Sequence, residues 1–209
     1  MFKLLANLFS KTSESSVTLH ASKTCPECGS QLAADASDNN ASGVWHCPNP
    51  DCPPHVLKRV TLWASPEAMD ITGCDAALAA QLVNKGLVRD AAEFYRLKLV
   101  EIVALDGMSK DSAQKFFDAI TASMKRDAWR VLFGLGIPNI SSMDAQTLCK
   151  HVAALDGLFA MGRERLMKLD GVSEVAARGL TFWYGDPVNR KLVRRLEKAG
   201  VNFKTTAPQ

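Results

Sequence analysis

Four cysteines in two close pairs are the residues best placed to do chemistry in this chain. Cys25-Pro26-Glu27-Cys28 and Cys47-Pro48-Asn49-Pro50-Asp51-Cys52 spell C-x2-C, a spacer of eighteen residues, then C-x4-C. Each pair is short enough to clamp one cation from a tight turn. Gly29 and the prolines bend the backbone so that amide hydrogens point at the thiolates and four sulfurs reach tetrahedral positions. The expected ligand is one structural Zn2+ ion on Cys25, Cys28, Cys47 and Cys52. Four thiolates close the shell and leave no open catalytic position, so His46 and His55 read as spare side chains. A disulfide pairing is the alternative, but it needs an oxidising compartment and nothing in the sequence argues for secretion. Cys74 and Cys149 stand alone in apolar sequence with no neighbouring base and read as small buried hydrophobes.

A second pattern concerns phosphate. A turn of the form x-apolar-small, then three residues, then Ala, occurs four times: Gly73-Cys74-Asp75 with Ala79, Gly107-Met108-Ser109 with Ala113, Asn139-Ile140-Ser141 with Ala145, and Gly171-Val172-Ser173 with Ala177. The third positions are 34, 32 and 32 residues apart. In such a hairpin one helix ends at a tight turn, the apolar residue plugs the core, and the next helix begins with unpaired backbone N–H groups. Those amides and the positive end of the helix dipole suit an anion, and the small downstream residue permits close packing. The candidate contacts are Gly107, Ser109, Gly136, Ser141, Gly171 and Ser173, reinforced by Lys110, Lys115, Lys125, Arg126 and Arg178. Contacts of this kind hold the backbone of double-stranded or nicked DNA without reading its sequence, and they weaken with salt.

The plainer reading is that these turns merely join antiparallel helices, with Ser or Asp as an ordinary N-cap. Four regularly spaced copies favour phosphate binding, except at Asp75, whose carboxylate both caps the amides and repels an anion. The first hairpin is therefore expected to be architectural. Tetratricopeptide repeats have a similar period but carry their pattern on the helices rather than in a turn. In the segment 189–200, Leu192, Val193, Leu196 and Ala199 share one face, and Arg190, Lys191, Arg194, Arg195 and Lys198 lie largely outward. A charged face usually only serves solvation, but five cations against one Glu point to an anion.

The elements that must position these groups follow from pattern and composition. The 209 residues, 47% of them hydrophobic, suffice for one medium domain and one small one. Residues 1–24 read as an N-terminal tail and linker. Phe2, Leu4, Leu5, Phe9 and their neighbours form too short an apolar run for a signal peptide or a membrane span. Residues 25–58 read as the four-cysteine zinc finger, with a strand at Gly43-Val44-Trp45-His46. Residues 62–204 show helical periodicity broken by Gly-bearing turns, and residues 205–209 read as a disordered end. The fold class is mostly α: a small four-cysteine zinc finger followed by a compact domain of four helix-hairpin-helix motifs. A net charge of +3 and a pI near 8.5 suit an anionic partner without demanding one.

Ala68-Met69-Asp70-Ile71, Leu82-Val83-Asn84-Lys85-Gly86-Leu87-Val88 and Leu132-Phe133-Gly134-Leu135-Gly136-Ile137, together with the cysteine pairs and Cys52-Pro53, make the chain resemble a known family. In order and spacing they look like the zinc-finger and helix-hairpin-helix region of bacterial NAD-dependent DNA ligases, over roughly residues 25–203. The resemblance implies a chain that grips duplex DNA around a nick through its minor-groove backbone, in the bacterial cytoplasm at the nucleoid, as a replication or repair accessory. It departs from the family at the third hairpin position, usually Gly, where Asp75, Ser109, Ser141 and Ser173 stand here. The adenylation, OB and BRCT domains of the family find no counterpart, so no catalysis and no nucleotide cofactor are expected. Lys168-Leu169-Asp170-Gly171 spells the K-x-D-G adenylation motif but falls in the fourth hairpin and is read as coincidence. The rival readings are a protein-interaction module that has lost phosphate binding, and a subunit of a split ligase completed by a separate protein partner.

Overall fold

Caps and turns fix where this chain becomes helical. In a computed structural model, residues 24–34 and 45–205 are described. The chain divides into two units, Met1–Pro48 and Asn49–Gln209. In the first, Thr24 bridges Gln31, and strand β1 (Ala33–Ala34) pairs antiparallel with β2 (Trp45–His46), placing Ala33 opposite His46. Gly43 and Val44, assigned above to the same strand, lie outside the described residues.

The second unit is helical. Helix α1 (Pro53–Ala64) starts at a Pro-Pro pair, whose fixed φ suits a first turn and whose missing N–H groups have no intrahelical partner there anyway. Helix α2 (Ala76–Asn84) and a 3-10 helix (Ala91–Arg96) follow, each entered through an Asp N-cap. Helices α3 (Leu99–Val103), α4 (Lys110–Ser123), α5 (Ala128–Gly134) and α6 (Ser142–Cys149) come next. The chain continues through α7 (Leu155–Phe159), α8 (Arg163–Leu166), α9 (Glu174–Gly185) and α10 (Pro187–Ala199). The class is mostly α, with one two-stranded sheet among the described residues.

These helices are too short to be stable alone, so the buried face decides. Trp63, Met69, Leu82, Phe94, Phe116, Leu132, Leu155 and Leu180 are fully buried in one cluster. Helix α1 contributes Val56, Val60, Trp63 and Ala64 to that cluster, so its packing belongs with the helical unit although position 58, the expected end of the zinc finger, falls within it. Close approach relies on missing side chains. A Cβ on Gly134 would sit 2.9 Å from the Trp63 ring and 3.2 Å from Ala68 Cβ. The end of the described chain is held as well: Phe203 O accepts from Leu155 N at 3.0 Å, and Thr205 N, placed above in the tail, donates to Ala153 O at 3.0 Å.

Gly179, inside α9, lies against the carbonyl oxygen of Pro138, well within the space a Cβ would need. A backbone oxygen cannot rotate away, so Gly179→Ala is expected to lower stability by about 2 kcal/mol, as overpacked sites do. Gly185→Ala, with no atom within 4 Å of the new Cβ, is the control and should leave the urea midpoint unchanged or slightly raised.

Candidate metal centre and nucleic-acid interface

Cys25, Cys28, Cys47 and Cys52 bring their sulfurs within 4.8 Å of one another. Around a zinc ion, thiolates bonded at about 2.3 Å stand roughly 3.8 Å apart, so this cluster fits a tetrahedral cation after a small contraction. Local backbone forms the cradle. Gly29 takes φ +71°, and its N–H donates to Cys25 O at 2.8 Å while Cys25 N donates to Ser30 O at 2.8 Å. On the other side, Asn49 O accepts from Cys52 N at 3.2 Å and lies 3.0 Å from His55 Nδ1, so His55 props the loop. Cys52 directly precedes α1 and is buried. The set is all sulfur and can bind a metal ion.

The four turns repeat one geometry. Gly73, Gly107, Asn139 and Gly171 have φ of +87°, +76°, +61° and +73°. The following residue donates its N–H back three positions in every copy, at 3.2 Å: Cys74 to Ile71 O, Met108 to Leu105 O, Ile140 to Ile137 O, and Val172 to Leu169 O. The third residue caps the next helix: Asp75, Ser109, Ser141 and Ser173 accept from the backbone N–H of Leu78, Ser112, Asp144 and Ala176. Ala79, Ala113, Ala145 and Ala177 are completely buried, one turn further on. Asn139 supplies the left-handed residue in the third copy because its side chain tolerates that region better than other non-glycine types.

The turns are braced in pairs. Six residues past the cap, a residue touches the turn of another copy in three cases and shares a groove with it in the fourth. Gln81 accepts from Asp106 N at 2.9 Å and donates to Asp106 O at 3.2 Å, beside the second turn. Lys115 lines a groove with Thr72 and Gly73 at the first turn. Thr147 Cγ2 lies 3.1 Å from where a Cβ on Gly171 would be, and Gly179 abuts Pro138. Turns one and two thus support each other, as do three and four.

Charge distinguishes the copies. The first is capped by the Asp75 carboxylate at 2.7 Å. In the third, Asp144 Oδ2 accepts from Ser141 N at 2.9 Å and from Ser141 Oγ at 2.5 Å, so a carboxylate covers that helix start too. The sequence pattern places Ser141 among the phosphate contacts and gives no weight to Asp144. In the second copy the cap is neutral: Ser109 N donates to Ser112 Oγ at 2.9 Å, and Ser112 N donates to Ser109 Oγ at 3.1 Å. In the fourth, Ser173 Oγ accepts from Ala176 N, and Arg163 draws Glu174 aside at 2.5 Å.

The cations divide as well. Lys110, Lys115, Lys125 and Arg178 are exposed. Arg126, by contrast, is ion-paired with Asp70, and Arg130 donates to Pro66 O and Ala68 O at 2.8 and 2.9 Å, so both brace the segment after α1. Gly136 takes φ +64°, and a Cβ there would lie 3.2 Å from Leu62. Lys168 is exposed just past α8, and Asp170 O lies 2.9 Å from His151 Nε2 within the fourth turn. The lone thiols Cys74 and Cys149 are each pushed up to about 12 by burial, with Asp75 adding to the rise at Cys74, and stay protonated at neutral pH.

Paired left-handed turns, each followed by a capped helix and a buried alanine, define a helix-hairpin-helix domain. Residues 130–193 match the family model of the helix-hairpin-helix motif, which covers the third and fourth turns. Over most of its length the chain is similar to DNA ligases: 37% identical over 179 residues to that of Rubrobacter xylanophilus, covering 86% of this chain and 26% of the ligase. The ligase of Methylacidiphilum infernorum is 36% identical over 186 residues, covering 88% of this chain and 26% of that protein. That of Aquifex aeolicus is 36% identical over 181 residues, with 87% and 25% covered. The chain spans about a quarter of the length of the relatives it matches.

The cap geometry generates a stability test. Ser109→Ala removes the acceptor for Ser112 N and should cost about 1 kcal/mol in urea unfolding. Ser109→Asp should retain most of that stability, because Asp75 performs the same capping at the first turn.

Proposed function

We propose that this chain is a non-catalytic, zinc-ordered module that binds double-stranded or nicked DNA through the phosphate backbone, in replication or repair. The observation that carries the reading is the repeated turn: a left-handed residue, a capped helix start and a buried alanine, four times over and braced in pairs. Backbone amides at a helix start, together with the dipole, favour an anion whatever the base sequence. Similarity to DNA ligases supports DNA as the source of that anion.

The neutral caps favour the second and fourth turns as the contacts. Gly107 and Ser109 with Lys110 at the second turn, and Gly171 and Ser173 with Arg178 at the fourth, form the phosphate sites. Lys115 reaches the first turn and Lys125 extends the basic surface. Ser141 and Gly136 play a smaller part, since Asp144 already fills the third helix start, and Arg126 acts by holding Asp70. Zinc on Cys25, Cys28, Cys47 and Cys52 orders the small unit, a contribution of about 10 kcal/mol for structural zinc peptides. The K-x-D-G sequence at Lys168 has no part in the activity.

Two measurements check this. Replacing Cys25 and Cys28 by Ser should release the metal, about one zinc per chain by elemental analysis, and acid should do the same to the parent protein because protons compete for the thiolates. Duplex affinity should fall steeply with salt, and Ser109→Asp and Ser173→Asp should each weaken it while leaving the fold intact. Retention of full affinity by both variants, or no binding even at low salt, would leave the domain as a helical scaffold for a protein partner.

A further inference from the structure

Helix α10 belongs to none of the four hairpins, yet it carries the densest run of cations, Arg190-Lys191 and Arg194-Arg195 with Lys198. Like charges three and four residues apart on a helix repel and destabilise it. A helix whose charges served only solvation would interleave carboxylates; here Glu197 is the one acid within α10. The structure sorts these cations into two sets. Arg190 donates to Tyr184 O and Gly185 O at 3.1 and 2.6 Å, closing the end of α9. Arg195 pairs with Asp90 at 2.5 Å and Glu93 at 3.6 Å, tying α10 to the 3-10 helix. Those two build the fold.

Lys191, Arg194 and Lys198 remain. All three are exposed, none has an ion pair among the described residues, and their i, i+3, i+7 spacing puts them in one row along the helix. The row continues past the helix end. Gly200, in the left-handed C-cap, sits against Met124, while Asn202 N donates to Met124 O at 2.8 Å and Asn202 Nδ2 to Arg126 O at 3.1 Å. Exposed Lys125 stands between those two anchored residues, in the link from the second hairpin to the third.

We infer that Lys191, Arg194 and Lys198, continued by Lys125, form a second phosphodiester-backbone contact surface outside the hairpins. This rests on the DNA-binding reading for the choice of polyanion, and it adds a track on which a strand runs along α10 toward the junction between the hairpin pairs. Point charges on flexible stems suit a repeating row of phosphates, which asks for charge at intervals and not for a shaped pocket.

The test is the salt dependence of binding of the full zinc-loaded chain to a nicked duplex of arbitrary sequence, by fluorescence anisotropy between about 50 and 200 mM salt. In Lys191→Gln/Arg194→Gln/Lys198→Gln the slope of log affinity against log salt should fall by about 3, one for each lost contact, with an unchanged melting temperature. The charge-preserving exchange Lys191→Arg/Arg194→Lys/Lys198→Arg should keep the parental slope. An unchanged slope in the Gln variant, with Ser109→Asp and Ser173→Asp still weakening binding, would overturn this surface and leave the hairpin reading intact. A reduced slope in the Gln variant, with no effect of the hairpin variants, would uphold the surface and overturn the hairpins. Loss of polyglutamate binding in the Gln variant, with its DNA slope unchanged, would make the row an acidic-protein contact and also overturn the proposal.

Discussion

The left-handed residue that opens each turn is the constraint on which the rest of the domain depends. Once Gly73, Gly107, Asn139 and Gly171 reverse the sign of φ, the chain folds back by a single backbone hydrogen bond. The next helix can then start within two residues. For most side chains that conformation costs about 1–2 kcal/mol, which explains glycine at three copies and asparagine at the other. The reversal also sets which atoms face where: Ile71, Leu105 and Ile137 enter the core, and the helix-start amides are left at the surface. Because the second, third and fourth turns are each braced by a residue six positions past another copy's cap, their geometry is held from two sides. Gln81 beside Asp106 and Thr147 beside Gly171 are the clearest instances.

A binding surface made of backbone is tuned by charge more than by residue shape. Asp75 and Asp144 place a carboxylate over the amides in the first and third copies, whereas Ser109 and Ser173 leave neutral caps in the second and fourth. Since the first turn pairs with the second and the third with the fourth, each pair combines one acid-capped helix start with one capped by a neutral hydroxyl. On the proposed reading the acid-capped member gives rigidity and its partner gives affinity.

What was legible in the sequence was local. The cysteine spacing and the turn-cap-alanine pattern each span fewer than ten residues on either side of a gap or repeat, and both emerge in the folded chain at the expected residues. What was not legible depends on separation. Arg126 meets Asp70 across 56 positions and Arg195 meets Asp90 across 105, so two cations that look available for an anion are spent on packing. Asp144 escapes for another reason: the capping-box position three residues after Ser141 is in plain view, but a pattern read for what it offers a phosphate overlooks what already occupies it. The membership of α1 in the helical core is hidden because Pro53-Pro54 looks like the end of a knuckle and is in fact a helix start.

The division between arginine and lysine, to which exposed Arg178 and Arg194 and the Lys85–Asp106 ion pair are exceptions, follows in part from their head groups. Arg126, Arg130, Arg190 and Arg195 reach carbonyl or carboxylate oxygens within the fold, where a planar guanidinium presents several donors at once. Lys110, Lys115, Lys125, Lys191 and Lys198 stay in solvent, where a hydrated ammonium loses little. Five of the 22 acids are held in the same way: Asp70, Asp90 and Glu93 by arginines, Asp75 and Asp144 at helix starts. The paired charges cancel within a few ångströms of one another, and the lysines left over lie on the outside, within reach of a ligand at about a Debye length.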